Sequence, residues 1–505
     1  MIEAHSPEQI RAAEARCGDD LAGGELMRRA STGLAAVASA RLTDRHGRSV
    51  VGLVGAGNNG ADTLYALAML AHEGFAAAAV CAAGVTESGS AAHASGALTA
   101  AGAAGVVLHE GGGAPGVSDL DVIGEADVVL DGILGIGGRA GLPDWARPWI
   151  DAVDATAWVI AVDVPSGQDP AGGELDPDGV FADESVTFGS PKPVHLLPPT
   201  EAATGRLTVV DIGLDLRSDV PVVERLTRDD VADLWPTPDA ADDKYTRGVL
   251  GLIAGGETYA GAAVLAATAA VSTGVGMLRY VGTPTPTDLV RSAVPEAVIG
   301  MGRVQAWVVG PGVDITATDD AAQAHLAAAW EALDSDLPVV VDAGGLDLIE
   351  GPRPGPTLLT PHAGECARLL ARLSDGRDAY AGAFADVTAH DVQDAPVEHA
   401  RALARLAHAT VLLKGATTLV VTPDDGVPVR SQADAPAWLA TAGAGDVLAG
   451  IIGALAAGGL DLPTAGALGA LVHGVAADDA NPGGPIRARN VALHVPRTVA
   501  ALLSR

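Results

Sequence analysis

TAGAGDVLAGIIGALAAG, residues 441–458, joins a glycine-rich turn directly to a long apolar helix. Glycines leave several amide N–H groups open, and a helix N-terminus adds positive partial charge. The turn is therefore shaped to hold a phosphoryl group during transfer. Asp446 falls in the first turn of that helix, placed to take a proton from a hydroxyl attacking phosphorus. A purely structural role, in which Asp446 complements the helix dipole, is the alternative. No GxxxxGK[ST] loop occurs anywhere, so P-loop chemistry is excluded.

Outward from this turn, the same block repeats short Val/Ile/Leu runs separated by Ala-rich helical stretches. That is the pattern of a parallel sheet covered by helices. Strands are expected at 249–255, 277–282, 306–312, 338–344, 357–360, 410–415 and 418–422, with helices at 260–274 and 445–457 among others. Several loops carry chemistry. KGATT (414–418) follows an apolar strand and offers Lys414 and two hydroxyls to a nucleotide's phosphates. LTPHAGE (359–365) places His362 and Glu365 at a strand end, and VVGPGV (308–313) is another close-approach glycine turn. KYTRG (244–248) and GGETYAGAAVLAATAAVSTGVG (255–276) begin the block, the latter a loop followed by a helix of small residues. His362 beside a proline turn also admits a structural role as a hydrogen-bond partner.

An earlier block has the same alternation, with strands expected at 49–55, 76–83, 126–133, 157–164, 184–189 and 207–213. GAGNNG (55–60) matches GxGxxG, but the next strand ends Cys81-Ala82-Ala83 without the acid that holds a dinucleotide ribose. Ordinary dehydrogenase binding is therefore rejected, while the turn remains able to cradle phosphate. Three more segments stand at strand ends: DGILGIGGRAG (131–141), VDVPSGQD (162–169) and TFGSPK (187–192). Asp163 and Lys192 form a candidate acid–base pair. The oxygens of Asn59, Asp131 and Ser166, with main-chain carbonyls, suit a hard monovalent or divalent cation. Alternatively, Asp131 and Asp163 cap turns.

Between the blocks, residues 214–240 are polar and proline-containing, without a clear strand. The chain is thus expected to form two three-layer α/β domains. The first, 1–215, carries a Rossmann-like parallel sheet. A linker at 216–240 leads to the second, with its core at 241–505. The stretch 372–398 reads as surface helix and loop.

Composition narrows the classes. The net charge of −32 argues against nucleic acid and anionic membranes as partners. No run approaches the roughly 20 apolar residues of a membrane span. Three widely spaced cysteines and the absence of a leader pattern lead us to expect a cytoplasmic protein. Lysine is confined to Lys192, Lys244 and Lys414, against 28 arginines. Where Arg replaces Lys so widely, a surviving Lys marks a need for a compact charge. Ala/Gly-rich helices permit close subunit packing, and a homo-oligomer is expected.

LMRRAS (26–31), VGAGNNGAD (54–62), DGILGIGGRAG, VDVPSG and TFGSPK resemble the NAD(P)H-hydrate epimerase family, also called the YjeF N-terminal domain. The motifs from 244 to about 500 resemble the ADP/ATP-dependent NAD(P)H-hydrate dehydratase family of the ribokinase-like superfamily, with TPHAGE, KGATT and AGAGD in family order. The resemblance implies two activities. The epimerase, an isomerase, interconverts the R and S hydrates, NADHX and NADPHX, at C6 of the nicotinamide ring. The dehydratase, a lyase, uses ADP or ATP to return the S form to NAD(P)H, with release of AMP and phosphate in the ADP case.

It further implies a potassium ion on Asn59, Asp131 and Ser166, and magnesium with the nucleotide. In the first domain, Asn58, Asn59, Gly60, Ala61 and Asp62 would contact substrate, as would Gly135, Ile136, Gly137, Gly138, Arg139, Ala140 and Gly141. Asp163 would contact the reacting ring, with Lys192 beside it. In the second, Ala262, Gly312, His362 and Asp446 would line the hydrate pocket. Lys414, Gly415, Ala416, Thr417, Thr418 and Gly445 would hold the nucleotide, and Asp446 would be the general base.

The family's NNGGDG turn reads NNGADT here, so Ala61 and Thr63 replace glycines where ligand could approach backbone. VDAGGL (341–346) keeps Asp342 but has Gly344 where the family carries a second acid. Two rival readings stand beside this one. The second domain could be a kinase of a small vitamin-precursor alcohol, and the first domain a non-catalytic binding or scaffolding module.

Overall fold

The computed structural model describes residues 1–82, 85, 94–111, 117–375, 377 and 382–504. Part of the 372–398 stretch lies outside them. Two compact units emerge: Glu3–Val223, and Met1–Ile2 together with Glu224–Arg505.

In the first unit, strands Val107–Gly111, Ala76–Ala82, Ser49–Val54, Val128–Gly132, Trp158–Val162, Glu184–Phe188 and Arg206–Val210 lie in that order, all parallel. Central strands such as Val128–Gly132 are buried along their whole length, as layers of helix on both faces require. Helices Glu25–Asp44 and Asn58–His72 pack against each other, and the latter also covers the central strands. Strand order reverses beside Ser49–Val54, so the connections leaving it and Val128–Gly132 diverge. A crevice opens at their carboxyl ends. All six expected strands are present. Val107–Gly111 was not foreseen, because VLHEG is an edge strand whose Val107 and Leu108 are exposed.

In the second unit the parallel order is Val298–Ile299, Met277–Val281, Val249–Ile253, Ala306–Val309, Val339–Val341, Thr357–Leu359 and Thr410–Leu413. Antiparallel strands Thr418–Val421 and Val429–Gln432 follow. This is the two-domain α/β architecture read from the sequence. The unit boundary falls at Val223/Glu224, inside the stretch read as a linker. Val223–Arg225 is a strand and Val231–Leu234 a helical turn, with Leu226, Val231 and Trp235 buried in the C-terminal core. Elements of three or four residues are too short to show periodicity.

Helix Ala444–Ala457 is apolar all round because it is buried all round, between the sheet and helices Ala260–Thr273 and Leu462–Ala480. A Cβ at Gly450 would sit 2.3 Å from the carbonyl oxygen of Ala266, and one at Gly453 2.2 Å from Val308 Cγ2. The glycines therefore set how closely this helix approaches its neighbours. Among the described residues no helix is long and apolar enough to cross a membrane.

Candidate active sites

In the first unit a cavity of about 700 Å³ opens at the strand-order reversal. It is lined by Asn58, Asn59 and Asp62 from the first glycine turn, Gly135, Ile136, Gly137 and Gly138 from the second, and Asp163 and Lys192. Gly60, Ala61, Arg139, Ala140 and Gly141 do not line it. Ala61 and Thr63 are buried, and Thr63 Oγ1 donates to the Asn59 carbonyl at 2.7 Å. The departure from NNGGDG thus faces the core rather than the cavity.

Asp163 adopts a left-handed backbone (φ 70°), rare for a residue with a side chain. Surrounding bonds hold it there. Its amide donates to the Val186 carbonyl at 2.8 Å. Its Oδ1 accepts from Thr187 Oγ1 at 3.0 Å and from the Phe188 amide at 3.2 Å, and it forms a very short ion pair with Lys192 Nζ. Lys192 is 1% exposed and spends its other ammonium protons on Thr187 Oγ1 (2.9 Å) and the Phe188 carbonyl (3.1 Å). His195 locks the turn. The Lys192 amide donates to its Nδ1 (3.0 Å), so Nε2 carries the proton and donates to the Asp163 carbonyl (2.9 Å). Burial, and then the Lys192 charge, push the imidazole pKa down to about 3, keeping it neutral. Thr187 and His195 escaped the sequence reading. Their one signal was proximity to Lys192 in TFGSPKPVH.

Beneath the cavity the three cation candidates are connected. Asp131 accepts from Ser166 Oγ at 2.6 Å and from the Ser166 amide at 2.8 Å. Ser166 Oγ accepts from the Leu134 amide at 2.9 Å. The Asn59 amide donates to the carbonyls of Leu134 (3.0 Å) and Val162. Burial pushes the Asp131 carboxyl up to about 6, against the pull of the Ser166 hydrogen bonds. The donors are carboxylate, hydroxyl, amide and carbonyl oxygens, a set that fits a hard cation. No cluster of three or more His, Cys, Asp or Glu suited to a metal exists among the described residues.

In the second unit, the turn at Gly443 (φ 87°) opens helix Ala444–Ala457 and places Asp446 in its first turn. A Cβ at Gly445 would lie 3.5 Å from Lys414 Nζ, so this turn and the KGATT hairpin tip meet. Lys414 Nζ donates to Asp342 Oδ1 at 2.8 Å and stands 3.7 Å from Glu365 Oε2. Thr360 Oγ1 donates to the same Asp342 oxygen at 2.7 Å. Burial works against the Lys414 charge, but Asp342, Glu365 and Asp446 outweigh it and raise its pKa. The Asp446 carboxyl is pushed up to about 7, first by burial and then by the Asp342 charge, with Lys414 pulling it back. A carboxyl titrating near neutrality beside a nest of amides is equipped to be a general base.

Ala262 and Gly312 adjoin, since a Cβ at Gly312 would lie 2.7 Å from Ala262 Cβ. His362 pairs with Lys414 in a backbone bridge and caps helix Ala363–Ser374. Its Nδ1 accepts from the amides of Gly364 (3.0 Å) and Glu365 (3.3 Å), which leaves the proton on Nε2. Ala416 and Gly415 are exposed at the hairpin tip. Gly344 cannot carry the family's second acid on this backbone: a Cβ there would lie 2.1 Å from the Val313 carbonyl oxygen.

The fold and sites define a two-unit α/β chain with two candidate sites: a Rossmann-like cavity with a buried Asp–Lys pair, and a glycine turn at a helix N-terminus beside Lys414, without a P-loop. A family described as NAD(P)H-hydrate dehydratase matches residues 250–486, and one described as YjeF-related protein N-terminus matches 23–194. The bifunctional NAD(P)H-hydrate repair enzyme Nnr of Mycobacterium tuberculosis is 43% identical over 91% of this chain and 90% of its own. The Mycobacterium leprae protein of the same name is 40% identical over 99% and 100%. A solved ADP/ATP-dependent NAD(P)H-hydrate dehydratase from Bacillus subtilis, co-crystallized with ATP/Mg2+, is 26% identical at a TM-score of 0.46. The match covers 55% of this chain and 97% of that one. The chain belongs to the family of bifunctional NAD(P)H-hydrate repair enzymes.

Proposed function

We propose that this chain repairs hydrated nicotinamide dinucleotides, epimerising NADHX and NADPHX in its first unit and dehydrating the S form in its second. Family membership over nearly the whole chain supports both activities. The observation that carries the dehydratase mechanism is the meeting of Asp446, Gly445 and Lys414, with the Asp446 carboxyl at about 7.

Asp446 takes the proton of the C6 hydroxyl as its oxygen attacks the terminal phosphorus of ADP or ATP. Amides of the 443–446 turn receive the migrating phosphoryl oxygens. The nitrogen lone pair of the ring then expels phosphate from C6, and loss of a proton from C5 restores the dihydropyridine. Lys414, fixed by Asp342, presents one positive charge to the nucleotide with Gly415 to Thr418. Ala262, Gly312 and His362 line the hydrate side. Magnesium, bound with the nucleotide, supplies further charge neutralisation.

In the first unit Asp163 touches the reacting ring and carries a proton, and Lys192 fixes its position. Asn58, Asn59, Asp62 and the 135–138 turn hold the dinucleotide. Asn59, Asp131 and Ser166 would hold potassium, which would supply a fixed positive charge. Three cysteines without a disulfide among the described residues accord with a reducing, cytoplasmic setting.

Purified R hydrate with ADP or ATP, followed by NADH absorbance, tests both halves. Rapid conversion of the whole sample is the expected result. A phosphorylated product without returning NADH points to a vitamin-alcohol kinase. Conversion of R hydrate only at the spontaneous rate points to a non-catalytic first unit.

A further inference from the structure

The cavity of the first unit contains more acid than the Asp163–Lys192 pair uses. Asp62, from helix Asn58–His72, and Glu14, from helix Pro7–Arg16, line the same walls. Moving a hydroxyl from one face of C6 to the other requires a proton for the leaving oxygen and a base for the water arriving opposite. Two faces call for two groups.

Lys192 is unsuited to be the second. Its three ammonium protons already go to Asp163, Thr187 and the Phe188 carbonyl. Asp62 is unsuited for the opposite reason. It is buried, its Oδ1 has no hydrogen-bond partner among the described residues, and burial followed by the charges of Asp163 and Glu14 raises its carboxyl well above the usual range. Such a group holds its proton more tightly than an ordinary carboxyl and is a poor donor to a leaving oxygen.

Glu14 meets the requirement. It is half-buried, so it faces the cavity and can exchange with water. Arg11, one turn earlier, donates to the Ile136 carbonyl at 2.8 Å and pins this helix to the glycine turn on the cavity wall. Burial and the Asp163 charge raise the Glu14 carboxyl, with Lys192 and Arg11 opposing. The groups facing it are thus Arg11 on its own helix, Asp62 on helix Asn58–His72, and Asp163 and Lys192 at the strand ends.

We propose that Glu14 is a second acid–base residue of the epimerase cavity, serving the face of C6 that Asp163 does not. The proposal rests on the epimerase reading above. Neutral Glu14 gives its proton to the C6 hydroxyl, the C6–O bond breaks, and water leaves as the N1 lone pair forms an N1=C6 iminium. Water adds to the opposite face and passes its proton to Asp163. Turnover in the reverse sense, or exchange with solvent, returns the proton to Glu14. No oxidant or reductant is involved.

The test compares full-length wild type, Glu14→Gln, Glu14→Asp and Asp163→Asn, following the interconversion of purified R and S hydrates across pH. Glu14→Gln should lose about 10²-fold in kcat with little change in KM. It should also lose the decline in rate that wild type shows as rising pH removes the Glu14 proton. Glu14→Asp should recover part of the rate, and dehydration of S hydrate should be unaffected in both Glu14 variants. Unchanged kcat and pH profile in Glu14→Gln, or a rise in KM alone, overturns the proposal. A wild type that epimerises no faster than the uncatalysed hydrate overturns the underlying reading as well.

Discussion

The two units use the same pair of residue types to opposite effect. In the first, Lys192 is bonded to Asp163 itself, within a closed set of partners. In the second, Lys414 is bonded to Asp342, and the neighbouring Asp446 is left without that partner and pushed up to about 7. Placing the lysine on the carboxylate fixes its direction. Placing it on the neighbour leaves the reactive carboxylate able to pick up and release a proton near neutrality. A general base for phosphoryl transfer to a hydroxyl would use the second arrangement, and an acid–base group held in one orientation against a ring would use the first.

The largest test of this contrast is Asp446→Ala. Dehydration of S hydrate should fall by about 10²–10⁴-fold in kcat, with epimerisation unchanged. Wild-type turnover in that variant would dismantle the phosphoryl-transfer assignment. Asp163→Asn should cost epimerisation about 10²-fold, at the low end of the same range because the amide can keep the Thr187 contact. Epimer exchange at the wild-type rate would remove Asp163 from the chemistry.

Gly344→Ala probes how tightly the floor of the second site is packed. A Cβ 2.1 Å from the Val313 carbonyl should cost about 1–3 kcal/mol, read as a lower Tm. The smallest effect sharpens the comparison most. Dehydratase kcat/KM should rise with pH through a midpoint near 7, as the Asp446 carboxyl loses its proton. Asp342→Asn removes a like charge and frees Lys414, so the midpoint should move down. Lys414→Met removes the opposing positive charge, so it should move up. Coincident midpoints in all three proteins would show that Asp446 does not set the profile.

The glycine turns show why so much of the candidate sites' layout was legible. GAGNNG, DGILGIGG and TAGAGD are continuous segments, and a strand-to-helix turn brings its own amides and side chains to the carboxyl edge of a sheet. Other partners could not be read this way. Asp342 was visible, but its hold on Lys414 spans 72 positions of chain. Glu14 sits on an unremarked helix before the first motif, and nothing in its local sequence announces a cavity. The concern over Ala61 and Thr63 is resolved by a direction, core against cavity, that spacing alone did not give.

By itself the sequence determined the two α/β blocks and the turns bearing Asp163, Lys192, Lys414 and Asp446, because hydrophobic period and glycine placement are local properties of the chain. Asp163 and Lys192 were already a candidate pair in the sequence, and tertiary structure alone decided that Lys414 binds Asp342 rather than Asp446. That choice depends on distances across the sheet, and burial then pushes the Asp446 carboxyl up to about 7.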